Sequence, residues 1–306
     1  MRLLTSIDAL SRLDGPVHLA IGVFDGVHRG HQAVLESAKT QAAEEDGVAV
    51  VATFDPHPAE VLAPDHAPQR LTGLAHLQHL FSKLGMDATL AIPFDRTMAA
   101  QSAEDFVQSL TESCALASMH VGEDWAFGKE RQGNVELLRE MGEEHGFTVH
   151  GIAPVLDEGE RISSTAIRTA VSARDLDQAA RLLGRPYSLH GPVAIGDQLG
   201  RQLGFPTANI DFSAKALPPY GVYAVRVLSH ENLPGVANLG IRPSINGEMS
   251  LRFEVHLFDW EGDLYGQTME VALLHHLRAE QRFESLTDLK GQIARDVSAA
   301  RAWLKR

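Results

Sequence analysis

The feature that most constrains this chain is a change of rhythm near Gly184-Arg185-Pro186. Before it, short apolar runs alternate with stretches of helical periodicity. Strands are expected at 17–24, 48–54, 88–93, 119–122 and 147–155, and helices at 29–45, 74–84, 103–115, 135–145 and 164–183. The 48–54 run is rich in β-branched and apolar residues, as expected of a strand covered on both faces. Alternation of this kind predicts an α/β half, a doubly wound parallel sheet with helices on both faces. After the seam, strands are expected at Val193, 205–210, 221–227, 235–239, 251–258 and 269–274, divided by Gly, Pro and Asn turns. That pattern suits a compact antiparallel β-barrel. The acidic turn Asp259-Trp260-Glu261-Gly262-Asp263 predicts a hairpin between its flanking runs. Leu289, Ile293 and Val297, four apart, predict a terminal amphipathic helix over 286–304. Two domains result, 1–183 and 187–306.

Composition supports this division and removes several function classes. A length of 306 residues suits about two domains, and 44% hydrophobic content supplies a core for each. A net charge of −13 argues against a nucleic-acid partner, so any polyanion must find a local positive site. The single cysteine, Cys114, allows neither an internal disulfide nor a cysteine-rich zinc site, and a reducing, cytoplasmic setting is expected. Asp8 stands where a signal peptide would need apolar residues, and no run approaches the roughly 20 needed to span a bilayer. No membrane association and no obligate protein partner are expected.

Directly after the first expected strand comes Gly22-Val23-Phe24-Asp25-Gly26-Val27-His28-Arg29-Gly30-His31. Its glycines let backbone approach a ligand, and a helix begins at its end, where unpaired N–H groups favour an anion. His28 and His31 share one face of the first turn and can donate to a phosphate as its charge grows during displacement. A capping or packing pair is the competing account, and a metal site lacks a third ligand. Far along the chain, Ser163-Ser164-Thr165-Ala166-Ile167-Arg168 offers hydroxyls at a helix start with an arginine one turn on, a second anion site. An ordinary serine cap is the alternative there.

The second half carries its own phosphate-binding pattern, Gly200-Arg201-Gln202-Leu203-Gly204-Phe205-Pro206-Thr207-Ala208-Asn209. Glycine-rich backbone can wrap phosphates, and the Thr207 hydroxyl and Asn209 carbonyl are hard ligands suited to Mg²⁺. No Gly-Lys-Ser/Thr follows, so this is no Walker loop. A turn-rich barrel corner would show the same glycines. In the 251–257 strand, alternation turns Glu254 and His256 one way and Phe253, Val255 and Leu257 the other. A strand carboxylate facing a pocket can accept a hydroxyl proton during phosphoryl transfer.

The order of motifs resembles one family along nearly the whole chain. The 22–31 segment, Thr53-Phe54-Asp55-Pro56-His57-Pro58, Val121-Gly122-Glu123-Asp124-Trp125-Ala126-Phe127-Gly128 and the Ser-Ser-Thr-x-Ile-Arg element resemble the adenylyltransferase half of the bacterial bifunctional riboflavin kinase/FAD synthetases. The 200–209 segment, Pro219-Tyr220-Gly221-Val222-Tyr223, Asn238-Leu239-Gly240-Ile241-Arg242-Pro243, Glu254-Val255-His256 and Leu277-Arg278-Ala279-Glu280-Gln281-Arg282-Phe283 resemble their riboflavin kinase half. The resemblance implies a Rossmann-like nucleotidyltransferase domain followed by a six-stranded antiparallel barrel with a terminal helix. It also implies ATP as co-substrate, Mg²⁺ as cofactor, and riboflavin, FMN and FAD as substrates or products. His28 and His31 would contact ATP phosphates, with Gly22, Phe24, Asp25, Ser164 and Arg168 completing the nucleotide side. Phe54, Pro56, His57, Pro58, Asp124 and Phe127 would line the flavin side. In the kinase half, Gly200, Arg201, Gly204, Pro206, Thr207 and Asn209 would hold ATP, Thr207 and Asn209 the Mg²⁺, and Arg278 and Phe283 the flavin. Glu254 would be the base for the riboflavin 5′-hydroxyl.

Three positions depart from the family pattern, Ala126, Ile241 and Ser244, where relatives carry longer or more polar side chains. A different nucleotidyltransferase or a class I synthetase would share the first loop, but a Lys-Met-Ser-Lys-Ser element is absent. A non-catalytic flavin-binding protein is the other alternative.

Overall fold

The computed structural model describes residues 1–196, 199–243 and 249–305. The chain folds as two units. One comprises Met1–Arg70 and Leu77–Ser164, the other Leu71–His76 and Thr165–Arg306.

The first unit contains β1 (Arg2–Leu4), β2 (Val17–Ile21), α1 (Arg29–Glu44), β3 (Val48–Asp55), α2 (Pro58–Leu62), most of α3 (Leu74–Lys83), β4 (Ala88–Pro93), α4 (Arg96–Ala99), α5 (Ala103–Ser113), β5 (Leu116–Gly122), α6 (Val135–His145), β6 (Thr148–Ile152), β7 (Leu156–Asp157) and β8 (Glu160–Arg161). Six parallel strands stand in the order β1-β4-β3-β2-β5-β6. Strand β2 shows why both faces must be covered. Leu19 and Ile21 pack with Phe106, Val107 and Leu110 of α5 and Leu138 of α6, whereas Ala20 packs with Val34, Leu35 and Ala38 of α1 and Phe81 of α3. Helix α5 starts where the Ser102 hydroxyl accepts the Asp105 N–H at 3.0 Å, and its apolar stripe lies buried on the sheet. Each of the larger buried side chains (Leu, Ile, Val, Phe) contributes about 1.5–3 kcal/mol.

The second unit contains α7 (Ser164–Ser172, all but its first residue), α8 (Leu176–Leu183), β9 (Ser188–Ala194), α9 (Leu199–Leu203), β10 (Ala208–Ile210), β11 (Gly221–Val227), β12 (Leu233–Pro243), β13 (Met249–Leu257), β14 (Thr268–Ala279) and α10 (Leu286–Leu304). Its strands close into an antiparallel barrel ordered β10-β13-β12-β11-β14-β9. Helix α10 begins where Ser285 accepts the Asp288 N–H. It covers the barrel with Val297, Ala300 and Trp303 against Val222, Ala224, Val236 and Phe258.

Several sequence expectations need correction. The helix expected over 164–183 is two, because Arg174 adopts φ +64° and Asp175 caps α8 by accepting the Gln178 N–H at 2.9 Å. The Asp-x-x-Gln pattern was the available signal. The expected hairpin at 259–263 does not form. Strand β13 pairs with β12 and β10, and β14 with β11 and β9, so a local turn signal gave way to barrel closure. The 147–155 strand is only Thr148–Ile152, and the 205–210 strand only Ala208–Ile210. Short β1 and α9 were not anticipated. Ser244 lies outside the described residues.

Two candidate active sites

In the first unit, the chain runs from β2 to β3 and β4 on one side and later to β5 and β6 on the other. The carboxyl end of β2 is therefore the switch point at which open α/β sheets receive ligands. The 22–28 loop leaves β2 there, with φ of +54° at Phe24, +83° at Gly26 and +44° at Val27. This left-handed path is stabilised from several sides. Phe24, 2% exposed, meets the His31 and Phe81 rings edge-on, Thr53 donates to Val23 O at 3.0 Å, and Gln32 donates to Val27 O at 2.8 Å. Ser164, the last residue of the first unit, donates its hydroxyl to Asp25 O at 2.8 Å and so fixes the loop.

His28 caps α1, its Nδ1 accepting the His31 N–H at 3.2 Å. The two rings stack 3.5 Å apart at 19°. The packing and capping account of this pair is thus correct as local structure. It is also compatible with ligand contact, because capping fixes both imidazoles beside the helix N-terminus. Arg29 pairs with Asp157 of the β7–β8 hairpin at 3.0 Å.

The other expected adenylyltransferase residues occupy neighbouring strand ends. Phe54, next to last in β3, meets Phe94 edge-on, and the Asp55–Pro56 peptide is cis. His57 Nδ1 caps α2 by accepting the Ala59 N–H at 3.0 Å, ahead of Pro58. Asp124 follows β5 and pairs with Arg161 at 2.7 Å. Phe127 is buried against Phe106, with Trp125 stacked on it at 4.4 Å. Trp125, which lies partly buried there, carried no role in the sequence analysis.

In the second unit a cavity of about 640 Å³ opens into the barrel. Barrel register assembles its polar wall. Glu254 on β13 stands opposite Asn209 on β10 and opposite Asn238 on β12, so three polar side chains share one face. His256, two residues on, lines the same cavity and bonds Pro206 O through Nδ1 at 2.8 Å. Since a carbonyl only accepts, that nitrogen carries the proton. The bond holds the segment that delivers Thr207.

Close approach explains two glycines. A Cβ at Gly200 would stand 2.4 Å from Phe205 O, and one at Gly196 2.1 Å from Asn209 Nδ2. Among the described residues, Asn209 Oδ1 is a buried acceptor without a hydrogen-bond partner.

The opposite wall is β14 and α10. Arg278 and Phe283 line the cavity with the guanidinium 5.9 Å from the Phe283 ring. Leu289, Ile293 and Asp296 of α10 complete it.

Comparison with known proteins accounts for the presence of two sites. Residues 11–166 match the FAD synthetase family and residues 183–304 the riboflavin kinase family. Curated bifunctional riboflavin kinase/FMN adenylyltransferases are 42% identical in Escherichia coli K12, over 98% of this chain and 97% of that one, and 43% identical in Pseudomonas fluorescens, over 92% and 91%. The chain belongs to the bifunctional riboflavin kinase/FMN adenylyltransferase family. A solved structure described as a macrolide-efflux protein from Streptococcus pneumoniae is also similar, with TM-score 0.79, 28% identity and 98% coverage of both chains. Among the described residues, no helix of this chain is long and apolar enough to cross a membrane.

For a riboflavin kinase/FMN adenylyltransferase, the sequence-derived residues fall into distinct groups. Gly22, Phe24, Asp25, His28, His31 and Ser164 converge on one loop. Arg168 stands one turn along α7, among residues grouped with the second unit. Gly200, Thr207, Asn209, Glu254, Arg278 and Phe283 line one cavity, as does Ile241. Arg201, Gly204 and Pro206 shape the loop beneath without lining it, Gly204 at φ +87°. Sequence reasoning missed Tyr220, Asn238 and Asp296 as lining residues and gave His256 no role. The cap Ser285 and the four-residue spacing of Leu289 and Ile293 could have flagged the α10 face, but nothing local flagged Asp296.

Proposed function

We propose that the two sites divide the two family activities as follows. The chain is an enzyme with a riboflavin kinase half and an FMN adenylyltransferase half. In the barrel, the riboflavin 5′-hydroxyl oxygen attacks the γ-phosphorus of ATP. A new P–O bond forms, the bridge to the β-phosphate breaks, ADP leaves, and Glu254 takes the hydroxyl proton. In the parallel-sheet half, an FMN phosphate oxygen attacks the α-phosphorus of a second ATP and pyrophosphate leaves. There His28, His31 and the N-terminus of α1 receive the phosphate charge, with Ser164 beside them. Arg168 is assigned to the triphosphate on its motif alone. Phe54, Pro56, His57, Pro58, Asp124 and Phe127 are assigned to the flavin side, with Phe127 acting as the buried support on which Trp125 stacks. The division of labour follows the seam, 1–183 for adenylyl transfer and 187–306 for phosphorylation.

Mg²⁺ fits the kinase site. Asn209 Oδ1 is an orphaned buried acceptor beside the Thr207 hydroxyl and Glu254, all lining one cavity, and hard oxygen donors suit this ion. Thr207 and Asn209 would hold it, and it would supply charge neutralisation for the triphosphate. Gly200, Arg201, Gly204 and Pro206 shape the loop that receives the nucleotide. The partners are small molecules, and the work is assigned to the cytoplasm, in keeping with the acidic charge and lone cysteine.

The observation that carries this reading is the barrel register, which sets Glu254 between Asn209 and Asn238 on a cavity wall. The test is a time course. Purified protein given riboflavin, ATP and Mg²⁺ yields FMN first and FAD after it, and chelation of the metal stops both. Riboflavin left unchanged would refute the reading.

A further inference from the structure

Arg278, on the cavity wall, donates a hydrogen bond from every nitrogen of its guanidinium. Its Nε donates to both Asp296 oxygens, at 2.9 and 3.1 Å, Nη2 donates to Oδ2 at 2.7 Å, and Nη1 donates to Ala279 O at 2.9 Å. Three of the five guanidinium N–H groups are thereby committed, and one remains on each terminal nitrogen. Asp296 is only 6% exposed, and Gln292 donates to its Oδ1 at 2.8 Å from one turn back along α10. A carboxylate so buried needs a partner, and a two-oxygen grip fixes both the position and the plane of an arginine.

A simple staple for α10 would make the same bonds. The helix, however, is anchored at its far end without Asp296. Arg301 grips both Asp259 oxygens at 2.7 and 2.8 Å, Arg226 bonds Leu304 O, and Val297, Ala300 and Trp303 pack on the barrel.

We infer that Asp296 is a positioning residue of the kinase site, holding Arg278 so that its two remaining N–H groups stand ready for the flavin. The inference rests on the assignment of this cavity to riboflavin. Gln292 acts in support, keeping the carboxylate in register with the guanidinium.

The test is Asp296→Asn, which keeps the shape and one acceptor but loses the charge and the second acceptor, alongside Arg278→Lys and the double variant. Riboflavin affinity is read two ways, as KM in turnover and as Kd by quenching of flavin fluorescence. Asp296→Asn raises both by about tenfold, the scale of one charge-assisted hydrogen bond, with kcat and the KM for ATP within about twofold. The double variant binds riboflavin no worse than Arg278→Lys alone, because both changes remove one device. Adenylylation of supplied FMN is unchanged. Wild-type riboflavin affinity in Asp296→Asn overturns the inference, as do additive losses in the double variant. A fall in kcat with KM unmoved overturns it too. Wild-type protein that neither binds nor phosphorylates riboflavin sinks the assignment of the cavity instead.

Discussion

Acidification between pH 7.5 and 5.0 should weaken the parallel-sheet unit through one buried chain of imidazoles. His18 on β2 bonds Ser118 at 2.8 Å, Ser118 bonds His120 at 2.7 Å, and His120 bonds Ser37 of α1 at 2.8 Å. His150 of β6 stacks on His120 at 4.5 Å, and Glu45, at the end of α1, lies 3.7 Å from His18. Burial, then the neighbouring His150 and His18, push the pKa of His120 down to about 3. Burial also lowers His18, against the pull of Glu45. For a base whose folded pKa is depressed, the unfolded chain binds the proton first. Stability is therefore full above the unfolded value of about 6.5 and falls as pH drops below it. At pH 5 the unfolded imidazole is about 1.5 units below its pKa, so His120 alone removes about 2 kcal/mol. The assay is urea unfolding of the first unit across this range, read by limited proteolysis, for wild type and His120→Asn. The variant is weaker at every pH, but its pH slope is shallower by that amount. Parallel slopes would refute the argument.

Three further outcomes follow from the sites. Glu254→Gln should lower riboflavin phosphorylation by about 10²–10⁴-fold, the range for a lost general base, while supplied FMN is still adenylylated. Wild-type phosphorylation would remove Glu254 from that role. His31→Ala should cut FAD formation by about 10²–10³-fold and leave FMN formation intact, as measured by chromatography of the flavins. A folded variant losing both activities would contradict separate sites. Gly196→Ala should impair the kinase alone, because its Cβ would displace the Asn209 amide 2.1 Å away, with ATP affinity as the readout.

Much of the framework was legible because it is local. The 48–54 strand announces burial on both faces by composition, and it appears as Val48–Asp55 with its interior buried. The terminal helix follows from a four-residue spacing and spans Leu286–Leu304. The 22–31 segment was legible as a glycine-rich loop running into a helix start, and it links β2 to α1. Where a local signal competed with a distant partner, the distant partner prevailed. The turn at 259–263 reads as a hairpin, yet β14 is claimed by β11 and β9. Asp296 was invisible for the same reason, since its partner Arg278 lies 18 positions away on another element.

Taken by itself, the chain's sequence determined its two halves, their classes, and the chemical types gathered in each motif. Those properties depend on hydrophobic period, turn residues and short spacings, which neighbouring positions specify. The tertiary structure alone decided which of those groups face one another. Strand pairing brings Asn209, Asn238 and Glu254 side by side, and helix docking sets Asp296 on Arg278. The buried imidazole chain is likewise a product of sheet order, because His18, His120 and His150 sit on three different strands. Such contacts arise when closing a sheet or a barrel satisfies many backbone bonds at once, a balance that no short stretch of sequence contains.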